Sequence, residues 1–405
     1  MLPIDEILEA LDLSRAEPGI GFLQALFSRF NARVPFESAS KIVRHAQVVD
    51  PAEKPRRPEI FWSDHVELGT GGTCFARVAA FEALARALGF STRKVLGRVE
   101  RDFDHAALLI EEPGGAAICD VGFPLPALLP AREARVDGAI VDLEVFPTAR
   151  GFRIALEAGV PEGPRALEIF DAEVSDEEFE ARWRATFDSQ SRFLSKLLLR
   201  RQEQSRVVSY ARGLVHVDDR HARLTVPIAP PRTERLASLF EMDAALLESA
   251  IARTGEPEAA SGAGSLTAYL ETSATAPEAF AAVASPAAYR RLLEGVARVV
   301  EEEPIEGGWG LALAPPGVES ANAGDFLREE VWPDPAGQLL RIRRRSGLSA
   351  FESQLRAQER SGKTYLIREA FFESSREDLL RNDSLRGRLA AGLAVDLLAW
   401  ARLIR

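Results

Sequence analysis

Apolar residues follow two different spacings along the first part of the chain. Through about residue 30, and again behind Cys74, they recur at the three- and four-residue intervals of a helix. Between residues 90 and 123 continuous apolar runs replace that spacing and predict strands. A mixed region follows, and a helix is predicted over Leu236–Arg253. Helices followed by a small sheet and a mixed region predict an α+β domain over residues 1–253.

The pattern changes again after a short stretch of small and polar residues. Residues 254–264 are rich in Gly, Ala, Ser, Pro and Glu and are predicted to be a linker. A strand, two short helices beginning near Pro277 and Pro286, and a series of strands follow it. An amphipathic helix, Ser384–Ile404, closes the chain. We therefore predict a second α+β domain over residues 265–405.

Composition and charge exclude several classes of protein. Hydrophobic residues make up 46% and charged residues 27%, as in soluble globular proteins. The net charge of −11 argues against a general nucleic-acid partner, which requires a basic face. No apolar run is long enough to cross a bilayer, so no membrane partner is expected. The two cysteines are too few for a disulfide framework and there is no signal-peptide pattern, so we expect a cytoplasmic protein.

One of the two cysteines has the sequence context of a nucleophile. Residues 69–73, Gly-Thr-Gly-Gly-Thr, form a glycine-rich bend that places Cys74 at the first turn of the predicted helix. Free backbone N–H groups and the helix dipole favour a thiolate at such a position. Gly71 and Gly72 would let the backbone approach the thiol closely. Cys119 lies within an apolar strand and is expected to be an inert core residue.

A base and an orienting acid follow the cysteine in the chain. His105 opens a strand, and a turn at residues 112–115 leads to a second strand that ends near Asp120. If the two strands pair antiparallel, His105 and Asp120 lie close together. Asp102 and Asp104 compete as partners of the histidine, but the neighbouring position of Asp104 should turn it away, which favours Asp120. Cysteine, histidine and aspartate in these roles form a papain-like arrangement.

These motifs resemble those of the arylamine N-acetyltransferases. The family pattern Arg-Gly-Gly-x-Cys-Phe-Glu corresponds to residues 70–76, and Asp-Val-Gly-Phe-Gly to residues 120–124. Upstream, residues 34–38, Val-Pro-Phe-Glu-Ser, are similar to the family's Val-Pro-Phe-Glu-Asn. The resemblance covers about residues 1–253. It implies a papain- or transglutaminase-like fold built from a helical bundle, a small β-barrel or sheet and an α/β lid.

The sequence departs from this pattern at three positions beside the predicted site. Thr70 replaces the family arginine, Ala76 replaces the family glutamate, and Pro124 replaces the last glycine. Glu37 is retained and is expected to have lost a charged partner. Pro124 is expected to stiffen the loop beside the acceptor pocket.

The resemblance implies a CoA-dependent acyltransferase of the arylamine or hydrazine N-acetyltransferase type. Cys74, His105 and Asp120 would form the catalytic triad, acetyl-CoA would be the co-substrate, and no metal would be needed. The acyl group would pass first to the cysteine and then to a small-molecule amine. The residues implied to line the acceptor pocket are Phe36, Phe75, Gly122 and Phe123. The three phenylalanines are equally compatible with an ordinary core.

The sequence is also compatible with two other functions. An amide synthase or a transglutaminase-like hydrolase would use the same triad on another acyl donor. In the second alternative, the chain is a non-catalytic binder of an apolar ligand. That alternative depends on residues 265–405, whose element order and Ala-Pro-Glu-Ala-Phe phrase at 276–280 resemble the START-like helix-grip domains. Such domains often enclose a hydrophobic ligand between their sheet and the final helix.

Overall fold

The chain separates into two compact units in the computed structural model. The structure describes residues 2–123, 125–157, 166–188, 191–203, 205–220, 222–228, 231–255, 264–293, 297–314, 327–346, 349–360, 362–372 and short pieces between 389 and 404. The first unit is Met1–Arg220 with Ile228–Ala260, and the second is His221–Pro227 with Ser261–Arg405. Pro124 and most of the predicted linker lie outside the described residues.

The first unit begins with helices that surround one apolar core. Its helices are α1 Ile4–Ala10, α2 Ile20–Arg33, α3 Ala39–Gln47, α4 Pro58–Leu68, α5 Cys74–Ala87, α6 Asp176–Ala185, α7 Arg192–Ser195, α8 Arg232–Phe240 and α9 Ala244–Thr254. Helices are predicted through about residue 30 and behind Cys74, and α1, α2 and α5 confirm both predictions. Phe30, Trp62 and Phe81 pack edge to face at the centre of this core.

Two sheets complete the first unit. Their strands are β1 Phe36–Glu37, β2 Thr92–Arg98, β3 Asp102–Ile110, β4 Ala117–Cys119, β5 Leu129–Pro130, β6 Ala134–Val136, β7 Asp142–Thr148, β8 Gly151–Glu157, β9 Ala166–Phe170, β10 Leu198–Gln202, β11 Val207–Ala211 and β12 Leu214–Asp218. One sheet runs β5-β4-β3-β2-β9-β8-β7-β6, and β1, β10, β11 and β12 are paired in that order in another. The predicted antiparallel pairing of the strands behind His105 and before Asp120 is confirmed, with Leu108 opposite Cys119.

The prediction of one helix over Leu236–Arg253 is wrong, because two helices occupy this stretch. The first, α8, ends at Glu241, which adopts a left-handed conformation with φ of 56°. The second, α9, begins after Asp243, whose carboxylate accepts a hydrogen bond from the Leu246 N–H at 2.8 Å. Such a side-chain cap satisfies an otherwise free N–H of a new helix, so the chain restarts rather than continues.

The second unit is mostly antiparallel sheet. Its strands are β13 Ala222–Pro227, β14 Gly264–Thr272, β15 Arg298–Ile305, β16 Gly308–Ala314, β17 Leu327–Asp334, β18 Leu339–Ser346, β19 Ser349–Arg360 and β20 Lys363–Phe372, and its helices are α10 Ala276–Ala281 and α11 Pro286–Leu293. The strand order is β13-β14-β20-β19-β18-β17-β16-β15. The sequence pattern assigned residues 222–227 to the first domain. They pair with β14 and are part of the second unit.

The predicted closing helix, Ser384–Ile404, lies largely outside the described residues. Those described between 389 and 401 are helical, and Leu393, Leu397 and Trp400 are buried among them. The Trp400 indole donates a hydrogen bond to the Ala279 carbonyl at 2.7 Å, within the same unit. A search of the described helices finds none with the length and apolar character needed to cross a membrane.

Candidate active site

Cys74 begins α5 at the end of the glycine-rich bend. The bend lies against β1, because the Gly72 N–H donates to the Pro35 carbonyl and the Glu37 N–H donates to the Gly72 carbonyl. A Cβ atom on Gly71 would lie 1.8 Å from the Pro35 oxygen, so only glycine fits there. Thr73, the residue before the helix, makes no side-chain cap. The first-turn N–H groups beside the thiol therefore have no cap from that side chain.

His105 lies against both Cys74 and Asp120. Its Nε2 is 2.8 Å from Asp120 Oδ2, and the ring also hydrogen-bonds the Cys74 side chain. Both His105 and Asp120 are buried. Burial by itself lowers the pKa of His105, but the charge and hydrogen bond of Asp120, helped by Cys74, outweigh burial and raise that pKa to about 10. The imidazole is therefore held as an imidazolium beside the sulfur.

The competing aspartates have other partners. Asp104 accepts hydrogen bonds from three backbone N–H groups, those of residues 99, 100 and 101. Asp102 forms ion pairs with Arg98 and Arg150. The structure thus pairs His105 with Asp120 and turns the other two carboxylates away. The backbone carbonyl of Asp104 does approach the site, since it lies 3.9 Å from Cys74 Sγ.

Gly122 packs closely against both Cys74 and His105. A Cβ atom there would lie 3.0 Å from Cys74 Cβ, 3.0 Å from His105 Cε1 and 2.3 Å from the Ala106 carbonyl oxygen. Asp120 itself is fixed by this turn, because its Oδ1 accepts a hydrogen bond from the Phe123 N–H at 2.7 Å. The Asp-Val-Gly-Phe motif therefore holds the carboxylate and leaves room for the histidine ring.

Arg77 ties this turn to the helix of the nucleophile. One turn after Cys74, its buried guanidinium donates to the Val121 carbonyl at 2.7 Å and to Asn31 Oδ1 at 2.7 Å, and it also donates to the Val34 carbonyl. Burial lowers the pKa of Arg77 to about 9, and the charges of Glu37 and Asp120 oppose that fall. The group remains charged at neutral pH and cross-links α5, which begins at Cys74, to the turn after Asp120 and to the end of α2.

Cys74 opens onto a cavity of about 400 Å³. Its lining residues are Lys41, Thr73, Cys74, Glu100, Arg101, Asp104, Ala185, Thr186, Asp188, Ser191, Arg192 and Phe193. The predicted substrate residues are not in this lining. Phe75 is fully buried and packs against Phe179, which places it in the core. Phe36 packs edge to face on Phe193, and Phe123 lies under the guanidinium of Arg200.

A buried arginine from another part of the chain occupies the region where the family arginine is missing. The Arg56 guanidinium donates to Thr70 Oγ1 at 3.1 Å, to Asp64 Oδ2 at 3.0 Å and to the Gly71 carbonyl. Its Nη2 is also 3.8 Å from Glu37 Oε1. The expectation that Glu37 has lost its charged partner is therefore wrong. Sequence reasoning missed Arg56 because it precedes the motif by fourteen positions, in a stretch that reads as loop.

Replacing Arg56 by alanine is expected to destabilise the first unit by about 3–5 kcal/mol, because Glu37 is fully buried and would lose its nearest cation. Urea unfolding followed by circular dichroism measures this change. Arg57→Ala is the matched control, since Arg57 is the next residue and is exposed. A loss below about 1 kcal/mol for Arg56→Ala, comparable with that of a surface site, would contradict the role of Arg56.

Cys119 differs from Cys74 in its surroundings. It is fully buried on β4, and burial together with the neighbouring charge of Asp120 raises its pKa well above the usual range. Both cysteines are free thiols. Among the described residues, no group of three or more His, Cys, Asp and Glu side chains is arranged to hold a metal ion.

The chain is similar to known proteins in sequence pattern and in fold. Residues 20–145 match a family model described as N-acetyltransferase. The chain is similar in structure to the arylamine N-acetyltransferase from Salmonella typhimurium, with 18% identity, a TM-score of 0.53, and coverage of 62% of this chain and 97% of that one. No curated protein matches the chain.

Two further solved structures share the fold. The Mycobacterium marinum arylamine N-acetyltransferase in complex with CoA has 16% identity, a TM-score of 0.52, and coverage of 61% of this chain and 98% of that one. The Bacillus cereus arylamine N-acetyltransferase described with a Cys-His-Glu catalytic triad has 16% identity, a TM-score of 0.52, and coverage of 60% and 100%. The family match and these neighbours together support an acyltransferase.

Proposed function

We propose that the chain transfers an acyl group from a CoA thioester to an arylamine or hydrazine through an acyl-cysteine at Cys74. One observation carries the proposal: the thiol at the start of α5 is hydrogen-bonded to an imidazole that also binds a buried carboxylate, and the same thiol opens onto a cavity. A nucleophile, a base and an orienting acid in contact are the requirement for covalent acyl transfer.

In the first half-reaction the Cys74 thiolate attacks the thioester carbonyl. The bond between the acyl carbon and the CoA sulfur breaks, and the departing CoA thiolate takes the proton of the His105 imidazolium. Backbone N–H groups of the first turn of α5 are suited to hold the oxyanion, since the helix start favours negative charge. Asp120 keeps the imidazole oriented through this step.

In the second half-reaction an amine attacks the acyl-cysteine. His105, now neutral, takes the proton of the amine, the bond from the acyl carbon to Cys74 breaks, and the amide leaves. The thiolate and imidazolium are then restored. This sequence is ping-pong catalysis, and it requires that water be kept away from the acyl-enzyme. The low exposure of Cys74, at 6%, is compatible with that requirement.

The donor is proposed to be acetyl-CoA. The complex of the Mycobacterium marinum neighbour with CoA supports this choice. We propose that Phe36, Gly122 and Phe123 shape the acceptor side of the site, where Gly122 contacts the triad and Phe123 supports Asp120. No metal enters this mechanism. A cytoplasmic location, with its supply of acyl-CoA, is proposed with the same function.

The experiment that tests the function is incubation of the protein with acetyl-CoA, followed by intact mass and peptide mapping. We expect one acetyl adduct, located at Cys74, which an arylamine or hydrazine then removes as its amide. If the protein keeps its unmodified mass, the proposal of CoA-dependent acyl transfer is contradicted. Loss of the adduct to water at the same rate with and without amine would instead favour a hydrolase.

We further propose that the second unit is a START-like helix-grip domain that holds an apolar ligand for the first unit. The antiparallel sheet of the second unit and the burial of Leu393, Leu397 and Trp400 support this assignment. Titration of the full chain with a fluorescent fatty acid tests it. Binding that Trp400→Ala leaves unaltered, or an absence of binding, would contradict the proposal.

A further inference from the structure

A lysine lies buried in the cavity of the nucleophile. Lys41 is on α3, its side chain is 5% exposed, and it lines the same cavity as Cys74. Its Nζ donates a hydrogen bond to Thr186 Oγ1 at 2.8 Å and lies 4.8 Å from the centre of the Phe187 ring. A buried ammonium costs free energy unless an anion compensates it.

Lys41 has no carboxylate partner among the residues that the structure describes. Among the residues that the structure describes, no carboxylate lies within 4.0 Å of its Nζ, and Thr186 satisfies one of its three donors. Burial lowers the pKa of Lys41 to about 8, and the negative charge of Cys74 opposes that fall. The group is therefore mostly an ammonium at neutral pH, with donors left for another molecule.

Lys94 of the same chain shows how the fold treats a buried lysine that has only a structural role. It is also largely buried and lies over an aromatic ring, 5.1 Å from the centre of Phe179. Two carboxylates compensate it, Glu82 at 3.0 Å and Asp176 at 2.5 Å. Burial opposes them, but their hydrogen bonds raise the pKa of Lys94. Lys41 lacks such compensation although it lies beside the reacting sulfur.

Two of the carboxylates that line the cavity are engaged elsewhere. Glu100 pairs with Arg192 at the rim, and Asp104 accepts backbone hydrogen bonds of its own loop. A single buried cation neutralises a single negative charge, which matches a carboxylate better than a phosphate dianion. The charge of Lys41, which pairs with no carboxylate among the described residues, thus fits an anion that a substrate brings.

We propose that Lys41 forms a carboxylate-binding subsite beside Cys74, so that this enzyme prefers substrates that carry a carboxylate on the acyl group or on the amine. The proposal rests on the acyl-transfer function. Thr186 orients the ammonium, and Phe187 and Phe193 keep water from it. In the absence of substrate, the nearby Cys74 charge supplies part of the compensation.

Two arms of one experiment distinguish the source of the carboxylate. The first compares acylation of Cys74 by malonyl-CoA with that by isovaleryl-CoA, a neutral donor of similar shape. The second uses acetyl-CoA and compares 4-aminobenzoate with 4-aminobenzamide as acceptors. In each arm the measured quantity is the kcat/KM for the charged substrate divided by that for the neutral one. In the arm whose charged substrate binds Lys41, we expect this ratio to fall at least about tenfold in Lys41→Met and to be retained in Lys41→Arg. Lys94→Met is the matched control and should leave the ratio as it is.

The ratio separates a subsite from a general effect on the thiolate. If Lys41→Met slows the charged and neutral substrates equally in both arms, Lys41 acts on Cys74 alone and the subsite is wrong. Calorimetry with 4-aminobenzoate, 4-aminobenzamide and malonyl-CoA on the Cys74→Ser variant needs no turnover. If a charged probe binds in a Lys41-dependent way but Cys74 is never acylated in the natural chain, the proposed function is contradicted and the subsite is supported. If there is neither Lys41-dependent binding of a charged probe nor acylation of Cys74, the subsite is wrong too.

Discussion

Cys74→Ser is expected to reduce acyl transfer by more than about a thousandfold and to eliminate the acetyl adduct. A hydroxyl remains almost wholly protonated at neutral pH, whereas a thiol beside an imidazolium is readily held as the anion that attacks. Serine is also close to cysteine in volume, so the packing of α5 against Gly122 should persist. Steady-state turnover of acetyl-CoA with an arylamine measures the loss, and intact mass measures the adduct.

The matched control for this variant is Cys119→Ala. Cys119 is a buried thiol on β4 that faces the core and is outside the cavity. Its replacement should cost some stability through lost packing but leave the turnover rate close to that of the natural chain. Circular dichroism of both variants shows whether the fold is kept. Turnover of Cys74→Ser within tenfold of the natural chain would remove Cys74 from the role of nucleophile.

The proximity of Cys74, His105 and Asp120 could be predicted from the sequence because each of them is fixed by local structure. A glycine bend before an apolar helical run places Cys74, and the hairpin of β3 and β4 places His105 near Asp120. The structure adds details that the pattern does not contain. Phe103 adopts a positive φ of 65°, and a register shift follows Gly97 opposite this strand, so the histidine sits at an irregular strand start.

The residues that sequence reasoning missed are those whose partners are distant in the chain. Lys41 reads as one polar position in a short helix, and its importance appears only when Thr186, 145 positions later, is brought against it. Arg56 likewise gains meaning only from Glu37 and Thr70. Thr186 and Asp188 line the cavity, and their place in its wall is likewise a property of the fold.

Asp120 is the residue whose loss should change the protonation of the site most. In the natural chain, burial alone would lower the pKa of His105, and the Asp120 charge and hydrogen bond reverse that effect and raise it to about 10. The folded state therefore prefers the imidazolium. The stability from this preference is fully present below the unfolded pKa of about 6.5 and is lost as the pH rises through about 10. In Asp120→Asn the burial effect remains and only the smaller effect of Cys74 opposes it, so the imidazole becomes neutral at lower pH.

Asp120→Asn is accordingly expected to reduce kcat by about 10³–10⁴-fold and to slow the alkylation of Cys74 by iodoacetamide at neutral pH. A neutral imidazole no longer places a positive charge beside the sulfur that attacks. Alkylation rates followed by mass spectrometry from about pH 5 to about pH 10 test this, with buried Cys119 as an internal standard that stays unlabelled. Asp102→Asn is the matched control, since Asp102 lies on the same strand as His105, β3, but pairs with Arg98 and Arg150. If the two variants show the same pH profile, His105 and Cys74 are not coupled through Asp120, because the carboxylate that touches the histidine would matter no more than one that does not.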